Sequence, residues 1–141
     1  MALRYIHIAP DTAAPVLPFS APYRAIICAD VITTFSWQAA VSKWLIDSGC
    51  VYAIAWGNMC KSWHDNIDDA SLIKFDWGDI PDDQHVMTTW HDDEPLDEVM
   101  WFAFHAAKHP EIELQETVFL HISLAADEER ILSLWDKSIS A

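Results

Sequence analysis

Glycine is scarce. The 141 residues contain three, Gly49, Gly57 and Gly78. None of them builds a G-x-G-x-x-G turn or a P-loop, so a dinucleotide cofactor cradled by backbone is not expected. Cations are scarce as well. Eight Lys and Arg stand against 22 Asp and Glu, a formal net charge of −14. Such a chain repels polyanions, which excludes nucleic acid binding through a basic surface and attraction to anionic membrane. The three cysteines, Cys28, Cys50 and Cys60, are odd in number and show no C-x-x-C spacing. That argues against a disulfide scaffold, a zinc ribbon and a thioredoxin-type motif. Long hydrophobic runs are missing too. The longest uncharged stretches, Val31–Ser42 and Ser48–Cys60, fall short of a bilayer span and contain Ser, Thr and Asn. The opening residues Met1-Ala2-Leu3-Arg4-Tyr5 carry no apolar secretory core, and a cytoplasmic location is expected.

What is present has a regular order. Residues 10–22 hold Pro10, Pro15, Pro18 and Pro22, which predicts an extended arm, because proline fixes φ and disfavours helix at its predecessor. The arm carries Val16, Leu17, Phe19 and Tyr23 and is expected to lie on the body, with Tyr5–Ile8 before it as a short edge strand. Residues 1–23 are thus read as strand and arm, and residues 24–141 as an α/β domain. Apolar runs at Arg24–Asp30, Val51–Trp56, His85–Trp90 and Thr117–Ile122 read as buried strands. Between them run helical stripes. Trp37, Ala40, Val41, Trp44 and Leu45 share one helical face, and Ser62–Lys74 forms a weaker stripe. Pro95 opens a helix that Pro110 ends, and Asp127–Lys137 gives the last one. The order β-α-β-α-β-α-β-α implies three layers around a mainly parallel four-stranded core sheet, with the arm as a possible further edge strand.

In an open α/β sheet, ligands bind outside the carboxyl ends of the strands. Those ends offer Asp30, then Trp56, Asn58 and Cys60, then Trp90, His91, Asp92 and Asp93, then Ser123. Asp30 with Asp92 or Asp93 could hold a divalent metal beside a substrate phosphate, with His91 as acid or base. Asp93 or Glu94 serves equally well as a cap for the helix at Pro95. His105 and His109 are four apart and would share a helical face, a spacing that suits Zn²⁺ but lacks a third ligand. Cys60 and His64 are also four apart at a helix start, a conceivable thiol nucleophile and base. No cofactor beyond a divalent metal is suggested.

The charge itself has an address. From Asp65 to Glu98 there are 12 acids and a single cation, Lys74. Trp63, Phe75, Trp77 and Trp90 are interleaved with them. Such a run solubilises a small protein, and it can also steer a basic partner toward aromatic anchors. Asp76, Trp77, Asp79, Asp82, Asp83 and Trp90 are the candidate binding residues. Trp37, Trp44 and Trp135 follow helical stripes and are expected in the core.

The stretch Phe75-Asp76-Trp77-Gly78-Asp79-Ile80-Pro81-Asp82-Asp83, continuing through Val86-Met87-Thr88-Thr89-Trp90-His91 to Glu94-Pro95-Leu96, resembles an uncharacterised bacterial domain family of unknown function. The resemblance implies a bacterial origin and supplies no activity. The residues favour a non-catalytic, cytoplasmic binding protein that presents its acidic, Trp-containing face to a basic protein, as an immunity-type or accessory protein of a bacterial defence system would. The alternative is a small metal-dependent hydrolase or ligand-binding domain at the strand ends. A homo-oligomer packed through surplus tryptophans is a third reading.

Overall fold

A computed structural model describes residues 2–141. Its elements run β1 (Leu3–Ile8), β2 (Tyr23–Ala29), α1 (Phe35–Asp47), β3 (Cys50–Gly57), α2 (Cys60–Lys74), a single 3₁₀ turn at Asp82–Gln84, β4 (Met87–His91), α3 (Leu96–His105), β5 (Glu116–Ile122) and α4 (Glu128–Ile139). The sheet has five strands rather than four, in the order β1-β5-β2-β3-β4. All four pairings are parallel. The N-terminal strand is therefore a full member of the sheet, and the alternation seen in the sequence accounts for the rest.

Side-chain parity divides the core. Tyr23, Ala25, Ile27 and Ala29 of β2 point to the layer of α1 and α2, where Val41, Leu45, Trp63 and Ile67 pack. Ile26 and Cys28 point to the layer of α3 and α4, with Val99, Met100, Ile131 and Trp135. Both sets are buried because parallel strands covered on two faces leave no side to water. The proline arm lies over the first layer through Ala14, Leu17 and Phe19. Two indoles expected in the core hold it there instead. Trp37 Nε1 donates to the Thr12 carbonyl at 2.9 Å and Trp44 Nε1 to that of Pro15 at 3.0 Å.

The connections set where a site can form. The arm, α1 and α2 carry the chain across one face as it steps from β1 to β2, β3 and β4. Helix α3 carries it back over the other face to β5, and α4 stays on that face. Opposite travel on opposite faces gives every crossover the same hand. It also makes β5 the odd strand. Its outgoing helix leaves to one face while the connections from its neighbours β1 and β2 leave to the other. The carboxyl end of β5 is thus the switch point of the sheet, where α/β folds open a crevice. On the far side, β2 and β3 meet closely. Gly57 has φ +95°, and a Cβ there would stand 2.5 Å from the Ala29 carbonyl oxygen.

Candidate functional site

At the switch point, register pairs Cys28 of β2 with His121 of β5, and His121 with His7 of β1. All three side chains share the parity that faces α3 and α4. His121 is 1% exposed, yet both its ring nitrogens are bonded. Nε2 lies 2.7 Å from an Asp30 carboxylate oxygen, and Nδ1 lies 2.6 Å from the Tyr5 hydroxyl. The Asp127 backbone N–H, just before α4, donates to that hydroxyl at 2.8 Å. One proton arrangement satisfies the whole row. The amide can only donate, so the phenol donates onward to Nδ1, and Nε2–H donates to the carboxylate. A neutral imidazole thus sits between a buried phenol and an acid whose side chain is 44% exposed. The Cys28 thiol lies 3.7 Å from the second Asp30 oxygen. Burial pushes that thiol well above its ordinary range, and the Asp30 charge adds to the shift. Burial also raises the Tyr5 phenol.

The other strand-end candidates do not join this group. Asp30 ends β2 while His91, Asp92 and Asp93 end β4, and β3 lies between those strands. The expected pairing of Asp30 with Asp92 or Asp93 around a metal is therefore corrected, because sequence does not reveal strand order. His91 is committed locally: Nδ1 meets the Glu94 carboxylate at 2.8 Å and Nε2 meets the Thr89 hydroxyl at 2.9 Å. Asp93 adopts a left-handed φ of 60° in the turn before α3. Trp56 Nε1 closes that turn on the Glu94 carbonyl at 2.6 Å.

Of the two spaced pairs, one is split by the fold and the other stays on one helix. Helix α3 ends at His105, so His109 is not on it and the proposed common face does not exist. His105 stacks against Trp101 with ring centres 4.7 Å apart. His109 is buried, with Nε2 on the His85 carbonyl at 2.8 Å and Nδ1 accepting from the Glu111 amide at 3.1 Å. Cys60 and His64 both lie on α2. His64 turns to Asp65 at 2.9 Å and lies edge-on to Trp90. Desolvation raises the Cys60 thiol, with the nearby Asp92 charge adding, which is the wrong direction for a nucleophile.

The acidic segment folds as an exposed rim. Asp76, Asp79, Asp82, Asp83, Asp92 and Asp93 are all exposed. Among the described residues none of them enters an ion pair. Asp76 and Trp77 both carry left-handed φ, 51° and 60°. The turn is nonetheless bonded: Trp77 N–H reaches the Leu72 carbonyl at 2.8 Å and Gly78 N–H that of Phe75 at 2.9 Å. This caps α2 and holds the Trp77 indole outward, 66% exposed. Trp90, on edge strand β4, is 44% exposed. Its inner side is covered by His64, with Lys61 Nζ 5.7 Å from the ring centre. Trp63, interleaved with the acids in sequence, is instead fully buried.

His121, Tyr5 and Cys28 escaped the sequence reading. His121 lies inside the apolar run Thr117–Ile122 and Cys28 inside Arg24–Asp30, where a residue of either type is ordinarily part of the core. The available signal was parity. Cys28 and Asp30 stand two apart on one strand, so they face the same side.

Residues 3–138 match the family described as a domain of unknown function (DUF7684). That span is nearly the whole chain, and the chain belongs to this family. No curated protein and no solved structure matches it. No helix among the described residues is long and apolar enough to cross a membrane.

Proposed function

We propose that the protein is a non-catalytic binding protein whose Asp/Trp face takes a basic protein partner, in an immunity-type or accessory role within a bacterial defence system. One observation carries the reading. Trp77 stands exposed on a turn fixed by backbone hydrogen bonds, in strained φ, beside Asp76 and Asp79, which enter no ion pair among the described residues. A large aromatic side chain presented on a backbone-fixed turn is a preorganised anchor, since little main-chain entropy remains to be lost on docking. The unpaired acids around it raise the encounter rate with a cationic surface. Trp90, the other exposed indole of the acidic segment, packs on His64 and Lys61 in the first turns of α2, toward the opposite end of that helix from Trp77, and is a separate candidate contact.

The test uses a Lys/Arg-rich fluorescent peptide as the probe, titrated at several salt concentrations. Trp77→Ala should weaken binding about tenfold, the cost of losing a central aromatic anchor. Replacing Asp76, Asp79, Asp82 and Asp83 together by Asn should weaken it further and flatten the salt dependence. A matched control neutralises Glu111, Glu113, Glu128 and Glu129, which lie outside this segment. If the control weakens binding as much, or if Trp77→Ala changes nothing, the attraction is only bulk charge and the reading fails.

A further inference from the structure

We propose that Cys28, Asp30 and His121 form a binding site for one Zn²⁺-type divalent ion at the switch point of the sheet, separate from the acidic face. The Cys28 sulfur, a carboxylate oxygen of Asp30 and a ring nitrogen of His121 all lie within 4.8 Å of one another. Among the described residues this is the one group of three or more such side chains so placed. Two of the three are 1% exposed, so the ion would be gripped from inside the protein.

The donor chemistry selects the metal. A thiolate, an imidazole and a carboxylate suit Zn²⁺ and its close analogues, whereas Mg²⁺ and Ca²⁺ take oxygen donors. The scaffold is rigid, because Cys28 and His121 are register partners on two hydrogen-bonded central strands. The remote nitrogen of His121 is already fixed by the Tyr5 hydroxyl, itself held by the Asp127 amide. A ligating histidine ordinarily has its second nitrogen anchored as a donor, and Nδ1 reaches that arrangement by reversing the direction of its bond to Tyr5. Asp30 is the exposed member and marks the direction from which the ion and a fourth, water ligand arrive.

The proton balance is simple. Cys28 loses its thiol proton to solvent. The single proton of the neutral His121 ring moves from Nε2 to Nδ1 and is donated to the Tyr5 oxygen, while the phenol, which had donated to Nδ1, turns its own proton away from the ring. Nε2 then binds the ion, and the 2.7 Å bond to Asp30 is exchanged for two bonds to the metal. One thiolate and one carboxylate neutralise the ion, so the filled site has no net charge. The charged groups near the thiol are Asp30 and Arg130, and the Arg130 guanidinium is drawn off by the Asp127 carboxylate.

The experiment titrates chelator-treated protein with Co²⁺, Zn²⁺ and Mg²⁺. One equivalent of Co²⁺ should produce a thiolate-to-cobalt charge-transfer band that Zn²⁺ abolishes by displacement. Zn²⁺ should raise the melting temperature and release one proton per ion, and Mg²⁺ should do neither. Cys28→Ser should remove the band, and Asp30→Asn should weaken Zn²⁺ binding at least tenfold. Tyr5→Phe should weaken it about tenfold through the histidine it positions. Asp30 is exposed, so its variant decides the matter if Cys28→Ser fails to fold. Absence of the band in the unmodified protein overturns the proposal. So does Zn²⁺ binding that survives Asp30→Asn but is lost when Asp76, Asp79, Asp82 and Asp83 become Asn, since the ion would then sit on the acidic rim.

Discussion

Trp77 occupies a backbone conformation that costs an L-residue roughly 1–2 kcal/mol. Glycine adopts it freely. Trp77→Gly should therefore stabilise the fold by about 1 kcal/mol, read as a higher urea midpoint at unchanged slope. It should at the same time lose the peptide binding described above. A gain in stability paired with a loss of binding is the mark of strain kept for function. A variant destabilised by the change would instead mean that the indole is a packing residue. At this scale the sequence was readable where a residue type sets the local chain path, as with the four prolines of residues 10–22, which do form an extended arm. It was opaque where function needs two strands at once. Asp30 was found because it ends its strand. Its partner His121 was not, because nothing local distinguishes an imidazole bonded on both nitrogens from one packed in a core.

The elements themselves were legible from periodicity, and their misplacements have physical causes. Helix α3 stops at His105, before Pro110. The Ala106 and Ala107 amides both return to the Phe102 carbonyl at 2.9 Å, which closes the last turn early. Arg24 then holds the Ala107 carbonyl from below at 2.7 and 2.9 Å. No local pattern announces a helix end made by an arginine 83 residues away. Trp37 and Trp44 fell on the predicted stripe of α1, yet they are half-buried clamps rather than core, because the proline arm lies over them. Changing both to Phe keeps the rings and deletes the two donors. Each lost hydrogen bond should cost about 1 kcal/mol, and protease cleavage within residues 10–20 should speed up in limited proteolysis. Equal cleavage rates in variant and parent would show that apolar contacts alone hold the arm.

For the whole molecule, pH acts through buried acids that must stay protonated. Burial pushes the Cys50 thiol from 9.0 to about 12, and it moves Cys28 and Tyr23 upward as well. A raised folded-state value means that the unfolded chain loses its proton first. Stability is then complete below the ordinary thiol value and falls as pH rises toward the folded one. The two thiols and the phenol together should cost about 3 kcal/mol by pH 10, measured as a falling urea midpoint. A flat midpoint between pH 8 and pH 10 would contradict the assigned burial. In the acid direction, Glu116 is held low by Arg4 and Asp65 by His64 and Lys61. Both carboxylates border solvent, which screens their pairs, so acidification through the carboxylate range should remove little through them.

The placement of β5 between β1 and β2 also dictates when this protein can exist. The ribosome delivers β1 first, yet β1 has no neighbour in the sheet except β5, the last strand to emerge. β1 must therefore wait, unpaired in the sheet, until β5 has been made. Strands β2, β3 and β4 can begin to assemble with α1 and α2 during synthesis, but they offer an unsatisfied edge at β2 throughout. The keystone arrives at the end, and a ribosome stalled before Glu116 would hold a nascent chain with two strand edges in search of the same missing piece.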